Sequence, residues 1–234
     1  MRRRQDGSFG WRRLLRHVAL ALAALLLLPY LLVVVYRVVD PPVSTLMLGR
    51  YLTLRGVERQ WADYDDISRN LVHAVLMSED AKFCVHGGVD FEALLEVVDQ
   101  LDEEGRRVRG ASTIAMQVAK NLFLWPGQQY IRKALEIPLA MWLDFVWPKR
   151  RVVEVYLNVA EWGDGVFGAA AASKAYFGKE PAKLTRREAA LMAVALPNPS
   201  ARNPAKPGRG MARLGRIVER RMRDAGPWVK CLEE

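Results

Sequence analysis

The hydrophobic positions divide the chain into one long apolar stretch near the N-terminus and several shorter segments with helical periodicity. The apolar stretch runs from Val18 to Tyr36, 19 residues without a charge. As a helix it would be about 29 Å long at ~1.5 Å per residue, which matches a bilayer core of about 30 Å. The pattern therefore predicts a membrane-spanning helix over residues 18–36.

Two other interpretations of this stretch remain open from the sequence. A cleaved signal peptide is typically shorter and ends in small residues, whereas Arg37-Val38-Val39-Asp40-Pro41-Pro42 follows here. A buried helix of a soluble domain normally carries a polar face, which this stretch lacks. Its length and its flanking residues favour the membrane span.

The flanking charges predict the orientation of the span. Six arginines precede it: Arg2, Arg3, Arg4, Arg12, Arg13 and Arg16. After it, only Arg37 and Asp40 follow closely. Because positive charge concentrates on the cytoplasmic side, residues 1–17 are predicted to form a basic cytoplasmic tail and the rest of the chain to lie outside the cytoplasm.

The remaining residues are predicted to form a short linker and one mainly α-helical domain. The linker, residues 37–45, contains Pro41-Pro42, and the domain covers residues 46–234. Apolar residues at helical spacing mark successive helices, and alternating strand patterns are scarce. The helix markers are Asp65 or Asp66 before Ile67, Leu71, Ala74 and Val75; Asp90 before Phe91, Leu94, Leu95 and Val98; Ser112 before Ile114 and Val118; and the stripe Ile131, Leu135, Leu139, Trp142 and Val146.

Four local features punctuate these helices. The charged segment Asp102–Gly110 contains two glycines and is predicted to be a mobile loop. Pro138 is predicted to kink its helix or to reset the start of that helix. Thr185-Arg186-Arg187-Glu188 is typical of a capping box. An amphipathic basic helix is predicted near the C-terminus. Its apolar face carries Leu214, Ile217, Val218 and Met222, and its opposite face carries four arginines.

Composition narrows the choice of partners. The net charge of +9 permits nucleic acid, but a domain outside the cytoplasm meets little of it, so we expect no nucleic-acid partner. Anionic lipid head groups or a phosphate-bearing substrate at the membrane surface explain the same charge. The two cysteines, Cys84 and Cys231, are equally compatible with a disulfide and with two free thiols.

Three stretches carry candidate chemistry. Glu79 and Asp80 end an apolar helix, where a carboxylate can be tuned for proton transfer. Ser112 and the backbone N–H groups at the start of the following helix are suited to bind an anion. Gln117 and Lys120 lie further along that helix. The third stretch contains Arg132, Lys133 and Glu136. Taken separately, a solvated acidic pair, a surface lysine and an exposed i,i+4 ion pair are the simpler interpretations.

Together these stretches resemble the peptidoglycan glycosyltransferase family, family 51 of the glycosyltransferases. The family patterns E-D-x-x-F-x-x-H-x-G, G-x-S-T-I-x-x-Q-x-x-K-N and R-K-x-x-E match residues 79–88, 110–121 and 132–136. Two further motifs match residues 149–158 with Gly163, and residues 187–191 with Pro197 and Pro199. The resemblance covers roughly residues 46–222, and the layout is similar to that of the monofunctional biosynthetic members.

This resemblance implies a fold and a reaction. The fold is a lysozyme-like helical domain with a head and a smaller, membrane-associated jaw. The reaction polymerises lipid II into β-1,4 glycan strands with inversion and releases undecaprenyl pyrophosphate. The implied partners are lipid II, the growing strand, membrane lipids, and division or penicillin-binding proteins. The implied location is the inner (plasma) membrane, crossed once, with the catalytic domain in the periplasm.

The resemblance also implies roles for the site residues. The two catalytic residues are Glu79, as the base, and Glu136, which orders nearby cations. The implied substrate-binding residues are Asp80, which supports Glu79, together with Ser112, Gln117, Lys120, Arg132 and Lys133 around the pyrophosphate. The chain has no H-E-x-x-H motif or Cys/His cluster, so we expect no required cofactor and no protein-held metal. A divalent cation, Mg or Mn, at the pyrophosphate remains compatible with the family.

Three positions depart from the family pattern. The sequence has Ala115-Met116 where many members have Thr-Gln, Gln128 where many have arginine, and Pro138 close to Glu136. We expect these changes to remove polar contacts, to weaken phosphate binding and to shift the Glu136 carboxylate, respectively.

Two other functions are compatible with parts of the sequence. A lytic, lysozyme-like glycan hydrolase would use Glu79 as a general acid, but it leaves the basic residues of the second and third motifs without a purpose. A membrane-tethered scaffold for wall-synthesis proteins suits the anchor and the basic tail helix, but it gives no reason for Glu79 and Glu136 together. A transpeptidase activity is not expected, because S-x-x-K and K-T-G are absent from the sequence.

Overall fold

The computed structural model describes residues 8–104, 112–127 and 129–233, and this part of the chain is mainly α-helical, as the sequence predicts. The helices are α1 Ser8–Tyr36, α2 Thr45–Leu52, α3 Arg69–Glu79, α4 Phe91–Glu104, α5 Ile114–Phe123, α6 Gln129–Val146, α7 Lys149–Val159, α8 Ala169–Phe177, α9 Arg186–Ala195 and α10 Arg209–Arg223. Three short strands, β1 Glu58–Arg59, β2 Glu161–Gly163 and β3 Val166–Phe167, form a sheet of order β1-β3-β2. β1 pairs with β3 in parallel, and β2 pairs with β3 antiparallel.

Helix α1 is long and apolar enough to cross a bilayer. The candidate span within it, Gly10–Tyr36, has 27 residues and contains an 18-residue window with a mean hydropathy of 2.9. This span includes the uncharged stretch 18–36 and, before it, Arg12, Arg13 and Arg16. Its C-terminal end packs against the rest of the molecule. Trp147 Nε1 donates to the Val33 carbonyl at 2.6 Å, and Arg151 Nε donates to the Tyr36 carbonyl at 3.1 Å. These carbonyls lie in the last turn, where no further helical N–H reaches them, so the side chains satisfy them instead.

The core lies where two groups of helices meet. α3 packs against α9 and α10, and α5 packs against α6 and α7. The fully buried side chains at these contacts include Leu71, Ile114, Leu157 and Met192. Burial of such side chains supplies most of the stabilisation of a helical domain, at roughly 25 cal/mol per Å² of apolar surface. The packing brings the C-terminal end of α3 beside α5.

Local capping sets the helix starts, and it corrects one predicted boundary. α3 begins after Ser68, whose Oγ accepts from the Asn70 backbone N–H at 3.2 Å. Asp65 and Asp66 were predicted to cap this helix but lie in a separate short 3-10 turn. Ile67 has an extended backbone and therefore separates that turn from α3.

The next helix starts show one small correction and two confirmations. α5 is capped by Thr113 and not by Ser112, because the Thr113 Oγ1 accepts from the Met116 N–H at 3.2 Å. Asp90 caps α4 as predicted, accepting from the backbone N–H of residue 93 at 3.0 Å. The capping box that begins at Thr185 is present at the start of α9.

The predicted apolar stripe of α6 is partly wrong. Ile131 is 62% exposed, whereas Leu139 is buried together with the neighbouring Leu143. The core face of the N-terminal half of α6 is occupied instead by Glu136, which is buried. The helix continues through the exposed Pro138, so this proline does not reset the helix start.

Helix α4 also departs from its predicted pattern. Phe91 and Leu95, expected on its buried face, are 49% and 63% exposed. The helix extends to Glu104, so the first residues of the charged segment predicted to be a mobile loop are helical. The rest of that segment, residues 105–110, lies outside the described residues.

A glycine allows the loop after α3 to approach α6 closely. Gly88 has a φ of +85°, and a Cβ atom there would lie 2.5 Å from the Ala140 carbonyl oxygen. Any other residue would therefore have to displace the α6 backbone, and it would also adopt a strained conformation. A glycine at position 88 is thus a packing requirement of this loop.

The two cysteines form a disulfide, which decides between the alternatives that the sequence leaves open. Cys84 and Cys231 have Cα atoms 5.6 Å apart and are separated by 147 residues in sequence. Cys84 lies in the loop after α3, and Cys231 lies in the short 3-10 helix Lys230–Leu232. The bond therefore ties the C-terminal segment to the loop that follows Glu79.

We expect the double variant Cys84→Ser/Cys231→Ser to lower the free energy of unfolding by about 2–4 kcal/mol, since the cross-link restricts the unfolded chain. Denaturant unfolding of the full chain in detergent measures this loss. The oxidised wild type treated with a thiol reductant should fall to the stability of the double variant, which itself should not respond to reductant. Equal stability of all these samples would contradict a structural role for the bond.

Candidate active site

Glu79 is the last residue of α3 and lies half-buried beside α5. Its Oε2 accepts from Gln117 Nε2 at 3.2 Å, and its Oε1 accepts from Ser78 Oγ at 3.3 Å. Burial raises the pKa of Glu79, while these hydrogen bonds and the charges of Lys120 and Arg202 partly oppose the increase. The net shift of the pKa is upward, because burial disfavours the charged form of the carboxyl. This carboxyl is therefore suited to accept a proton.

Gln117 connects Glu79 to α7. The Tyr156 hydroxyl donates to Gln117 Oε1 at 3.2 Å, so the two ends of the amide bond to different partners. Tyr156 is 1% exposed, and burial raises the pKa of its hydroxyl well above the usual value. The predicted contact between Gln117 and substrate is thus accompanied by a contact to the acidic residue itself.

Asp80 is turned away from solvent and joins α3 to α5. Its Oδ2 accepts from the Ile114 backbone N–H at 2.9 Å, and its Oδ1 lies 2.8 Å from His86 Nε2. The side chain is 4% exposed. Because both oxygens are bonded to protein groups, Asp80 connects the end of α3 to α5 and to the loop that contains His86.

One lysine at the start of α7, Lys149, holds the loop after α3 and also contacts α6. Lys149 Nζ donates to the carbonyls of Phe83 and His86 at 3.0 and 2.7 Å. It also donates to Asp144 Oδ1 at 2.8 Å, and it lies 4.8 Å from the centroid of the Phe83 ring. The first residue of the fourth motif therefore fixes the backbone of the first motif.

A second group of residues gathers on α6. Arg132 Nε lies 2.6 Å from Glu136 Oε1, and Lys133 Nζ lies 3.8 Å from Glu136 Oε2. Lys133 Nζ also donates to Ser112 Oγ at 3.0 Å. The i,i+4 ion pair predicted as the simpler alternative is present, but Glu136 is only 2% exposed. A buried carboxylate among cations indicates a built electrostatic site and not a solvated helix face.

Lys120 links the two groups. Burial lowers the pKa of Lys120, Glu136 and Glu79 raise it, and Arg132 lowers it further, with a net decrease. Lys120 is therefore within electrostatic reach of both glutamates. The pKa of Lys133 is lowered for the same principal reason, burial. The structure places the residues singled out in the sequence on or next to α3, α5 and α6, and both oxygens of the Asp80 carboxylate bond to protein groups.

Two of the three departures from the family pattern lie within the described residues. Ala115 and Met116 are fully buried, and the Met116 sulfur lies 3.7 Å from Lys133 Nζ. Pro138 faces solvent, and the Glu136 carboxylate keeps its bond to Arg132. The third position, Gln128, lies outside the described residues.

Sequence reasoning assigned no role to three residues that contact the site. Tyr156 and Lys149 belong to the fourth motif, so the motif was the signal for them. Arg202 follows α9, where it donates to the Val194 carbonyl at 2.6 Å and acts electrostatically on Glu79. No local pattern marks this arginine, since only the packing of α9 against α3 brings it to the site.

Comparison with known proteins identifies the family. The transglycosylase family model matches residues 47–223. The chain is similar to the biosynthetic peptidoglycan transglycosylases of Rhizobium meliloti and Agrobacterium fabrum, with 51% and 52% identity. These alignments cover 95% of this chain and 94% and 98% of the two relatives. The corresponding protein of Nitrobacter winogradskyi is 53% identical over 92% of this chain and 94% of its own length.

The family model covers all five motifs, and the alignments with the relatives are long enough to include the apolar N-terminal helix as well. They confirm the lysozyme-like helical fold, the membrane anchor and the glycosyltransferase activity predicted by the resemblance. The chain therefore belongs to the transglycosylase family, the glycosyltransferases that build the glycan strands of peptidoglycan.

Proposed function

We propose that this enzyme polymerises lipid II, a disaccharide-pentapeptide on undecaprenyl pyrophosphate, into β-1,4 glycan strands. The observation that carries the proposal is a half-buried carboxyl of raised pKa, Glu79, beside a group of cations around the buried Glu136. A base on one side and a cation group on the other suit attack by a sugar hydroxyl on a carbon that carries a pyrophosphate. Lys120 interacts with both glutamates, which supports a single reaction centre.

In this mechanism Glu79 acts on the acceptor sugar. Its carboxylate draws the proton from the 4-hydroxyl of the acceptor N-acetylglucosamine as the hydroxyl oxygen attacks the anomeric carbon of the donor. The bond between that carbon and the pyrophosphate oxygen breaks on the opposite face, so the α-linked donor gives a β-linked product. One base facing the leaving group matches the geometry of inverting glycosyl transfer.

The leaving group requires positive charge more than it requires a proton, because pyrophosphate departs as a stable anion. Lys120, Arg132 and Lys133 supply that charge from α5 and α6. Ser112, which already accepts from Lys133, adds a hydroxyl at the same place. Glu136 fixes the two α6 cations through its carboxylate oxygens. Fixed cations bind a developing anion better than mobile ones, since they need not reorganise during the reaction.

We assign the neutralisation of the pyrophosphate to the three basic side chains. Within the described residues no group of three or more acidic, histidine or cysteine side chains is placed to hold a metal by itself. Magnesium can also be bound through one or two carboxylates together with substrate phosphates and water. The proposal is therefore compatible with a divalent cation, Mg or Mn, that binds through the pyrophosphate.

The same charges separate this function from glycan hydrolysis. A hydrolase that cleaves finished strands must protonate a sugar leaving group and has no phosphate to bind. In such a hydrolase, three cations around one buried glutamate would have no function. Their burial would still cost desolvation free energy. A scaffold without activity would likewise need no base of raised pKa.

We further propose that the N-terminus lies in the cytoplasm and the catalytic domain in the periplasm. The six arginines that precede residue 18 support this orientation. Trp142 Nε1 of α6 donates to the Tyr30 carbonyl at 3.1 Å, within the apolar part of α1. The outer side of α6, where Phe145 is 82% exposed, therefore meets lipid. Penicillin-binding or division proteins, which cross-link or position new strands, are the protein partners that fit this activity.

Replacing Glu79 with glutamine should lower lipid II polymerisation by about 10²–10⁴-fold, the usual contribution of a general base. Glutamine keeps the shape but cannot take the proton. The assay follows consumption of labelled lipid II by the full chain in detergent, with finished strands tested in parallel. Glu180→Gln, whose side chain is 71% exposed, is the matched control and should keep wild-type activity. Full activity of Glu79→Gln, or consumption of strands without lipid II, would refute the proposal.

The polymerisation rate should fall on acidification at a pH above ~4.3, the ordinary pKa of glutamate. Glu79 must be ionised to act as a base, and burial raises its pKa, so protonation and loss of rate begin at a higher pH than for an exposed glutamate. The pH profile of kcat/KM for lipid II measures this limb. An acidic limb at or below the ordinary value would show that the carboxyl is not perturbed.

A chain lacking residues 1–40 should still float with liposomes, because apolar side chains remain exposed near the anchor. In α2 and the turn after it, Leu52 and Leu54 are 77% and 95% exposed. Leu52→Asp/Leu54→Asp in the shortened chain should reduce flotation, since charge opposes insertion at the interface. Val85→Asp, at another exposed apolar position, is the control. Flotation no better than that of a soluble protein would contradict the membrane contact.

A further inference from the structure

Tyr156 and Gln117 form a hydrogen-bond chain that ends at Glu79. Tyr156, on α7, donates its hydroxyl proton to Gln117 Oε1 at 3.2 Å. Gln117, on α5, donates through Nε2 to Glu79 Oε2 at 3.2 Å. The three residues come from three helices, so the chain exists only through the packing of α3, α5 and α7. It approaches Glu79 from the protein interior, since Tyr156 is 1% exposed.

The direction of this chain is set at its buried end. A glutamine amide has a donor end and an acceptor end, and rotation by half a turn exchanges them. With Nε2 toward Glu79, the amide stabilises the ionised carboxylate. With Oε1 toward Glu79, the amide instead accepts from a protonated carboxyl and stabilises the neutral acid. The orientation of Gln117 therefore determines which protonation state of Glu79 is favoured.

Tyr156 distinguishes the two orientations because its proton has one acceptor. In the part of the chain that the structure describes, Gln117 Oε1 is the sole hydrogen-bond partner of the Tyr156 hydroxyl. If the amide turned over, the hydroxyl would receive a donor and its own proton would be left in an apolar interior without an acceptor. A buried donor without a partner is costly. The hydroxyl also stays protonated, because burial and the charges of Glu79 and Asp80 hold its pKa high.

We propose that Tyr156 is a positioning residue for the reaction: its hydroxyl orients the Gln117 amide so that the amide donates to Glu79 and keeps that carboxyl ionised. This inference rests on the proposed role of Glu79 as the base. Because Tyr156 is 1% exposed, it acts through Gln117 and not by contact with substrate. Its hydroxyl extends the pH range in which Glu79 is ionised to lower pH than burial alone would allow.

The other charges around Glu79 do not depend on the hydroxyl. Lys120 on α5 and Arg202 after α9 both favour the ionised carboxylate. Asp80 is engaged by Ile114 and His86, and Arg221 of α10 donates to the Met77 carbonyl at 3.3 Å. A phenylalanine at position 156 would leave these contacts in place and would fill the same apolar space. The substitution therefore isolates the effect of one hydroxyl.

The test compares the full chain with Tyr156→Phe across pH in the lipid II assay. We expect the acidic limb of kcat/KM to move to higher pH by about 0.5–1 unit, the size expected from one neutral hydrogen bond. On that limb the variant should be about 3–10-fold slower, and at the alkaline plateau it should match the wild type. Tyr176→Phe, which removes a hydroxyl bonded to the Trp162 carbonyl at 3.0 Å, is the matched control and should not move the limb.

A double-variant comparison tests the route through the amide. Gln117→Leu should raise the acidic limb by itself, because the carboxylate loses a donor. Adding Tyr156→Phe in that background should cause no further shift. An equal shift in both backgrounds would mean that Tyr156 acts directly or by packing, and a loss of rate that is uniform at every pH would mean a structural role; either result overturns the inference.

Infrared titration of the carboxyl separates this inference from the proposed function. The infrared band of a protonated carboxyl that is present in the wild-type chain and absent in Glu79→Gln belongs to Glu79. This assignment does not depend on activity. An upward shift of that titration in Tyr156→Phe supports the inference, and an unchanged titration overturns it. If Glu79→Gln still polymerises lipid II, the assignment of the base fails, and the infrared result still decides whether Tyr156 orients the amide.

Discussion

The hydrogen bond from the Ile114 backbone N–H to the Asp80 carboxylate is the contact on which the site depends. It joins the residue after α3 to the first turn of α5, so the positions of Glu79 and Lys120 follow from one connection. Asp80 is buried, and its second oxygen meets His86, which fixes the loop that Lys149 also holds. A buried carboxylate with both oxygens bonded makes a rigid joint, because releasing either partner would leave a charge unsatisfied.

The site balances charge and burial on each side of that joint. On one side burial raises the pKa of Glu79, and directed hydrogen bonds limit the increase. On the other side the buried Glu136 is compensated by Arg132 and Lys133, and burial lowers the pKa of the latter. A glutamate of raised pKa accepts a proton readily, and cations with reduced solvation bind an anion strongly. The low polarity of the interior therefore serves both halves of the reaction.

The membrane anchor is part of the folded structure and not a loose tether. Trp147 and Arg151 bond to carbonyls in the last turns of α1, and Trp142 reaches one turn deeper at Tyr30. Because α6 also carries Arg132 and Glu136, the same helix contacts the anchor and holds the cation group. The position of the cation group relative to α1 is thus set by side-chain contacts as well as by the linker.

The sequence alone determined what depends on neighbours within a few residues: the helical class, the apolar span, the capping box at Thr185 and the motif residues of the site. It misplaced the cap of α3, since Ser68 and the aspartates before it offer similar local signals. Only the tertiary structure decided that Cys84 bonds Cys231, that Ile131 faces outward, and that Tyr156 reaches Gln117. These contacts join segments that are far apart in the chain, or depend on which face of a helix packs against the core. A local sequence pattern does not determine which buried residues contact one another.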